Sequence, residues 1–194
     1  MRYRTLSALA IAIAFVLTLS STAQDAWQID PKHTAAQFSV RHLGISTVRG
    51  AFTKVSGSVQ YDAANLGKSS IQATIEAASV DTRVEMRDND LRSPHFFDVE
   101  KYPTITFQSK KVEAAGAGKL KVTGDLTIHG VTKEVVLDVD GPSAVMKDHG
   151  SERMGASATT KINRVDFGVT GAPGVAGDEI TITLDIEMIK QAPK

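Results

Sequence analysis

Cysteine is missing from the sequence, and its absence excludes several kinds of protein. None of the 194 residues is a cysteine, so no disulfide, thiolate metal site or lipid-modified cysteine can form. A domain without disulfides must take its stability from its hydrophobic core. The sequence also lacks an excess of positive charge, since lysine and arginine together number 22 and so do aspartate and glutamate. This balance argues against nucleic acid as a partner.

Motifs for phosphate and metal binding are absent as well. The glycines of residues 168–178 match neither GxGxxG nor GxxxxGK[ST], so they indicate a flexible connection and not a phosphate loop. The five histidines, at positions 33, 42, 95, 129 and 149, show neither the His-x-His nor the His-Glu-x-x-His spacing of metal sites. We therefore expect neither a metal site nor a cofactor.

The only long apolar run lies at the N-terminus. Arg2 and Arg4 precede an apolar run over residues 6–19, and small residues at 21 and 23 come before Gln24. The run is shorter than the roughly 20 residues that span a bilayer, and this order of positive, apolar and small residues predicts a secretory signal peptide. We expect a signal peptide over residues 1–23, cleavage after Ala23, and a periplasmic or secreted domain over residues 24–194.

The remainder of the chain is dominated by alternation of apolar and polar residues. The clearest segments are AAQFSVRH (35–42), IQATIEAA (71–78), TITFQS (104–109) and EITITLDIEM (179–188). A period of two is typical of half-buried strands. Strands of a parallel sheet covered on both faces would be apolar throughout. The pattern therefore predicts an antiparallel sheet with one polar face.

Local signals add detail to this sheet. His129-Gly130 joins two alternating runs and predicts a two-residue hairpin turn. Between residues 48 and 61 the inward positions change from even to odd, which predicts a β-bulge near Thr53-Lys54. Residues 81–97 form the one plausible helix, with Asp81 or Thr82 as its N-cap. The interleaved charges of this segment indicate a solvated helix face.

About eight antiparallel strands and one short helix indicate an all-β fold. Such strands close into a barrel or split into two packed sheets, and their length favours closure. An eight-stranded barrel is either filled by its side chains or able to hold one small ligand. The predicted inward positions mix large residues with small ones such as Gly50, Gly57 and Ala73, which leave room for a ligand or interdigitate with larger neighbours in a solid core. Composition does not decide between the two.

Aromatic residues are concentrated in SPHFFDVEKYPTITFQS, residues 93–109. The pair Phe96-Phe97 follows the predicted helix and lies between two strands. These rings either seal the core or line the open end of the barrel, where aromatic side chains suit an apolar ligand with a polar end.

Several motifs in a fixed order resemble one known family. IDPKHTAAQFSVRHLGISTVRGAF, ASVDTRVEMRDNDLRSPHFFDVEKYPTITFQS, VTGDLTIHGVTKEVVLDV and INRVDFGV look like the YceI family of polyisoprenoid-binding periplasmic proteins, from about residue 27 to residue 188. The resemblance implies a lipocalin-like antiparallel barrel whose cavity takes a long amphiphilic lipid, such as an isoprenoid chain with a polar head or a fatty amide. It also implies a secreted, often dimeric protein without catalytic activity, so a homodimer is an expectation here.

We predict a set of ligand-binding residues from the inward positions and the motifs together. The set comprises Phe38, Val40, His42, Phe52, Ile75, Ala77, Leu91, Phe96, Phe97, Phe107, Arg164, Phe167, Ile182 and Leu184. His42 either contacts a ligand head group or is a buried histidine with a protein partner. Arg164 either anchors a polar head or ties down the glycine-rich segment that follows it.

Two other functions are compatible with the sequence. One is a small secreted lipid hydrolase or isomerase that uses His42 or His95 as its base. The other is a structural or stress protein with a filled core, which predicts no cavity. A lipid carrier predicts a long apolar cavity.

Overall fold

The computed structural model describes residues 25–192, and the predicted signal peptide lies outside these described residues. Twelve strands and one α-helix make up the described region, together with 3-10 turns at Leu66–Lys68, Ala77–Ser79 and Arg164–Phe167. The elements are β1 (Asp25–Ile29), β2 (Ala35–His42), β3 (Ser46–Phe52), β4 (Val55–Tyr61), β5 (Ser70–Glu76), β6 (Val80–Asp81), α1 (Glu85–Arg92), β7 (Thr104–Gly116), β8 (Lys119–Ile128), β9 (Val131–Asp140), β10 (Met146–Asp148), β11 (Ser151–Asn163) and β12 (Ala176–Lys190). Within residues 25–192, no helix has the length and apolar character needed to cross a membrane.

The strands form one antiparallel sheet that closes into an eight-stranded barrel. The first six strands are consecutive pieces of three long bent strands: β1 with β2, β3 with β4, and β5 with β6. β12 pairs with β1 and β2 on one edge and with β11 on the other, which completes the ring. β10 adds a short hairpin partner to β11. The predicted all-β antiparallel barrel with one short helix is confirmed.

The predicted bulge near Thr53-Lys54 is a break between two strands instead. Phe52 ends β3 and Val55 begins β4, and both side chains are buried, so the inward face does change from even to odd positions. β3 pairs with β6 and β4 pairs with β5, while the 3-10 turn Ala77–Ser79 interrupts the opposite strand at the same level. The pairing changes from Phe52 with Val80 to Val55 with Ile75, so two residues of one strand lie opposite four of its partner. The 3-10 turn takes up this change of register, and no one-residue bulge is formed.

The turn at His129-Gly130 joins β8 to β9 as predicted. Both residues have positive φ, 51° at His129 and 74° at Gly130, which is the geometry of a type I′ hairpin turn.

The helix begins later than predicted, and neither proposed residue caps it. The N-cap position is Val84, which offers no side-chain hydrogen bond. Asp81 accepts the backbone N–H of Arg83 at 2.7 Å. Asp88 lies in the helix, is only 6% exposed, and accepts bonds from the N–H and the hydroxyl of Thr82. The charged segment is therefore not solvated throughout, since Asp88 fastens the helix to the end of β6.

The core has two parts that lie toward opposite ends of the barrel. The smaller part consists of Trp27, Ile29, Met154 and Met188, and we call this end of the barrel the base. The larger part includes Phe52, Leu126 and Phe167 and packs against α1 and the loop after it.

Candidate functional site

The barrel encloses a cavity of about 430 Å³. Apolar side chains from strands around the ring line it, and on β12 every second residue from Ile180 to Met188 faces it. Many wall residues, including Phe107 and Leu184, are only partly buried although they point into the barrel. Their surfaces stay partly uncovered because no side chain fills the centre. The barrel is hollow, which decides against the filled core.

All but one of the residues predicted to bind ligand lie on the cavity wall. They are Phe38, Val40, His42, Phe52, Ile75, Leu91, Phe96, Phe97, Phe107, Arg164, Phe167, Ile182 and Leu184. Ala77 does not line the cavity and is only 1% exposed within the core. The strand alternation on which its assignment was based ends at Glu76, and Ala77 belongs to a 3-10 turn.

One end of the cavity, which we call the mouth, is bordered by partly exposed residues from three elements. His42 comes from the end of β2, Arg87 from α1, and Val175 from the connection before β12. These elements meet there because His42 pairs with Ala176 and because the backbone N–H of Leu43 bonds to the carbonyl of Val175 at 2.7 Å.

Phenylalanine rings form a continuous cluster beside the mouth. The ring centroids of Phe38 and Phe52 are 5.8 Å apart, and those of Phe52 and Phe97 are 5.6 Å apart in an edge-to-face arrangement. Such contacts are favourable for aromatic pairs. Phe38, Phe96 and Phe97 pack on the larger core and also line the cavity. The two roles considered for residues 93–109, sealing the core and lining the barrel, are therefore combined.

Two of the small inward residues, Gly50 and Gly57, interdigitate with larger neighbours, which is the second of the two alternatives considered for them. A Cβ atom at Gly50 would lie 2.5 Å from the ring of Phe38, and one at Gly57 would lie 2.3 Å from the carbonyl oxygen of Gln72 and 2.8 Å from the side chain of Ile29. Ala73, by contrast, lines the cavity. The glycines allow large wall residues to fit, and the empty space lies further inside.

His42 borders the mouth without a hydrogen bond or ion pair to its ring within residues 25–192. His42 is therefore not the histidine with a protein partner that the sequence allowed, and its ring nitrogens can form hydrogen bonds with a ligand. His95 is not part of the cavity wall; its side chain is 80% exposed and lies 3.3 Å from Asp90. The two histidines considered as bases thus lie in different environments.

Arg164 is buried and binds the chain that follows it. Its guanidinium donates to the carbonyls of Val169, Gly171, Ala176 and Gly177 and to the carboxylate of Asp178, at 2.7 to 3.1 Å. Every N–H of the guanidinium is used in this way. The geometry favours the second of the two roles considered, because Arg164 holds both ends of the glycine-rich connection and keeps no donor for a head group.

A charged cluster on the outer face near the base was not predicted. Arg153 on β11 lies 2.9 Å from Asp30 and 2.5 Å from Glu187 on β12, and His33 lies 2.8 Å from Asp30. The hydrogen bonds from His33, from the backbone of Lys32 and from Arg153 hold the pKa of Asp30 well below its ordinary value. In the sequence, the only local indication of this cluster is the Asp-x-x-His spacing of Asp30 and His33.

This cluster has the donor types of a metal site but is already occupied by a protein cation. Ligand atoms of Asp30, His33 and Glu187 all lie within 4.8 Å of one another. The guanidinium of Arg153 bridges the two carboxylates. The cluster therefore ties the β1–β2 connection to β11 and β12 where the barrel closes.

Comparison with known proteins places the chain in one family. The YceI-like domain matches residues 27–188. A UPF0312 protein of Vibrio cholerae is 38% identical over 168 residues, which cover 86% of this chain and 88% of the relative. The crystal structure of BcnA from Burkholderia cenocepacia superposes with a TM-score of 0.73 at 27% identity, covering 82% of this chain and 98% of BcnA.

A polyisoprenoid binding domain from Saccharophagus degradans has the same fold. Its TM-score is 0.64 at 17% identity, with 85% of this chain and 98% of that domain covered. The matched family, the Vibrio relative and the closed barrel with its apolar cavity agree, and the chain belongs to the YceI-like family.

Proposed function

We propose that this protein holds a long amphiphilic lipid, an isoprenoid of the quinone or polyprenyl type, inside its barrel. The role is sequestration, transport or storage of that lipid in the periplasm or outside the cell. The observation that carries the proposal is the hollow, apolar interior of the closed barrel. Its volume of about 430 Å³ falls within the roughly 300–1,000 Å³ of ligand cavities.

The shape of the cavity suits a chain more than a compact ligand. Wall residues on β12 extend from Ile180 to Met188, and a strand advances roughly 3.4 Å per residue. With a strand tilt of roughly 40°, this wall is on the order of 20 Å high along the barrel axis. Burial of each methylene contributes about 0.8 kcal/mol. A hydrocarbon chain of this length therefore has a large driving force to enter.

The polar end of the ligand is best placed at the mouth. His42 and Arg87 border the cavity there and both are partly exposed. The base is walled by the apolar side chains of Ile29, Met154 and Met188. A head group at the mouth keeps contact with water, and the chain points toward the base.

Native mass spectrometry of protein purified without detergent tests this proposal. We expect an excess mass that fragments as an isoprenoid or a long acyl chain. Added isoprenoid should raise the melting temperature of lipid-free protein, because a ligand that binds only the folded state stabilises it. A bare mass, together with an unchanged melting temperature after isoprenoid is added, would contradict the proposal.

A further inference from the structure

The tip of the β2–β3 hairpin exposes apolar side chains next to the mouth. Leu43 is 53% exposed and Ile45 is 80% exposed. The turn is held in place, since the N–H of Leu43 bonds to the carbonyl of Val175 and the N–H of Ile45 bonds to the carbonyl of His42. Val175, itself 40% exposed, continues the apolar surface toward the cavity that it lines. We call residues 41–49 the mouth hairpin.

The mouth hairpin is also positively charged. No acidic residue occurs between Asp30 and Asp62 in the sequence, whereas Arg41 and Arg49 flank the tip. Arg41 donates to the carbonyl of Gly44 and the hydroxyl of Thr47, and Arg49 forms no ion pair with any described residue. Neither arginine is therefore neutralised by a carboxylate.

The carboxylates on the neighbouring elements do not cancel this charge. On β12, Asp178 is paired with Arg164 at 3.1 Å and Glu179 with Lys161 at 2.8 Å. On α1 and its approach, three arginines (Arg83, Arg87 and Arg92) accompany four carboxylates (Asp81, Glu85, Asp88 and Asp90). Asp88 is buried against Thr82, and Asp90 lies 3.3 Å from His95. The mouth hairpin therefore adds two positive charges with which no carboxylate of these neighbouring elements forms an ion pair.

We infer that the mouth hairpin docks on the surface of a bilayer that contains anionic phospholipid. Leu43 and Ile45 enter the acyl boundary, and Arg41 and Arg49 meet lipid phosphates, a combination that binds interfaces. A tip with two protruding apolar side chains is far smaller than the roughly 800 Å² per partner that a stable protein interface buries, which favours a bilayer over a protein partner.

Docking in this way would place the mouth against the membrane. This inference rests on the proposed function, since the purpose of the contact is to let a lipid pass between bilayer and barrel without crossing water. His42 immediately precedes the tip and borders the cavity, so the head group of an entering lipid would remain at the interface while its chain moved inward.

Vesicle flotation tests the inference. Wild-type protein should float with vesicles of phosphatidylcholine and phosphatidylglycerol at low salt, and far less with phosphatidylcholine alone. The double variant Leu43→Ser, Ile45→Ser should bind the mixed vesicles roughly tenfold more weakly or worse, and Arg49→Gln should reduce the dependence on salt. The matched control is Val145→Ser, Met146→Ser, since these side chains are 50% and 70% exposed beside β10, toward the base. The control should bind as the wild type does.

Equal binding by the wild type and the hairpin variant would overturn the inference, and so would loss of binding in the control. A change of oligomeric mass in the hairpin variant, with vesicle binding intact, would mean that the hairpin contacts a second copy instead.

Melting temperature and binding of a fluorescent isoprenoid added from solution are measured on every variant. If isoprenoid binds from solution but vesicles do not bind, docking is wrong and the proposed function stands. If vesicles bind but isoprenoid does not, the proposed function fails and docking stands.

Discussion

Arg164 is a buried charged side chain that stabilises the fold through the number of hydrogen-bond acceptors that it satisfies. Replacement by lysine keeps the charge but offers a compact ammonium in place of a planar fork, so several carbonyls of residues 169–177 lose their donors. Each buried acceptor left without a partner costs about 1–3 kcal/mol. We expect Arg164→Lys to lower the free energy of unfolding by about 2–4 kcal/mol in urea titration. Lys161→Gln, which removes an exposed pair with Glu179, should change it by less than about 1 kcal/mol. Equal losses in the free energy of unfolding of the two variants would contradict the stabilising role of the Arg164 hydrogen bonds.

The second prediction at the residue scale concerns Asp30 and the dependence of the free energy of unfolding on pH. Its hydrogen bonds from His33, Lys32 and Arg153 lower its pKa in the folded protein. The carboxylate therefore contributes stability that is fully present above the unfolded-state pKa of about 3.9 and is lost as the pH falls through the lower folded-state pKa. The difference in free energy of unfolding between the wild type and Asp30→Asn should be constant near neutral pH and shrink below about pH 4.

The matched control is Asp140→Asn, whose carboxylate forms an exposed pair with Lys119 at 3.2 Å. Its difference from the wild type should be small at neutral pH. A difference for Asp30→Asn that grows on acidification would show that the sign of the pKa shift is opposite to the one described here.

Neither Arg164 nor Asp30 could have been assigned from the sequence with this detail. The acceptors of Arg164 come from a loop whose path depends on the closure of the barrel, and Asp30 meets Arg153 more than a hundred positions away in the chain. The sequence did offer loop anchoring as one role of Arg164. The number of carbonyls that Arg164 reaches is a property of the folded loop, so the extent of this anchoring was not visible in the sequence.

At the scale of single elements, the two hairpin turns of the β7–β8–β9 meander form a natural pair for comparison. Gly118 and Gly130 have φ of 67° and 74°. A Cβ atom at Gly118 would meet nothing within 4 Å, whereas one at Gly130 would lie 2.4 Å from the ring of Tyr102. Gly118→Ala should therefore cost about 1 kcal/mol of stability from backbone strain alone.

Gly130→Ala should cost about 1–3 kcal/mol more, because the ring of Tyr102 has to move. Thermal and urea unfolding of the two variants measure the difference. Equal losses would mean that the ring of Tyr102 shifts without cost.

Strands were predictable from the sequence, but their interruptions were not. Each strand buries one face, so a period of two is visible in a single segment such as residues 179–188. The break at Thr53-Lys54 depends on the turn Ala77–Ser79 in the partner strand, which the alternation of one segment cannot show. The predicted N-cap of α1 was wrong for a related reason, because both candidates have other hydrogen-bond partners. Thr82 donates to Asp88, and Asp81 accepts the backbone N–H of Arg83.

At the scale of the whole molecule, the sequence predicted a closed barrel but left its interior undecided. An inward leucine or isoleucine looks the same in a sequence whether it meets another side chain or an empty space. Only the diameter fixed by eight strands, compared with the lengths of the facing side chains, reveals the cavity. The pattern of residues did not predict whether the barrel is hollow, whereas the resemblance of the motifs to the YceI family did predict an apolar cavity.

Filling the cavity provides the prediction at this scale. Ala156 lies on the wall near the base, and Ala156→Phe adds a ring to the space that we assign to the lipid chain. We expect little or no loss of stability without ligand, since the ring enters an unfilled space, and a loss of co-purifying lipid in native mass spectrometry. Thr159→Phe is the matched control, because Thr159 is exposed on the same strand and does not line the cavity. Undiminished lipid in Ala156→Phe would place the ligand elsewhere.

The two ends of the folded domain lie side by side at the base. Trp27 is the register partner of Lys190, and the N–H of Gln191 bonds to the carbonyl of Ala26 at 2.7 Å. The mouth hairpin is at the opposite end of β12, where Ala176 pairs with His42. An affinity tag, a fluorescent protein or a surface tether joined at either end would therefore leave the entrance unobstructed. The same adjacency makes the domain suitable for circular permutation, since a short linker could join residue 191 to residue 25. New ends could be opened in the exposed turn between β10 and β11, where a Cβ atom at Gly150 would meet nothing within 4 Å.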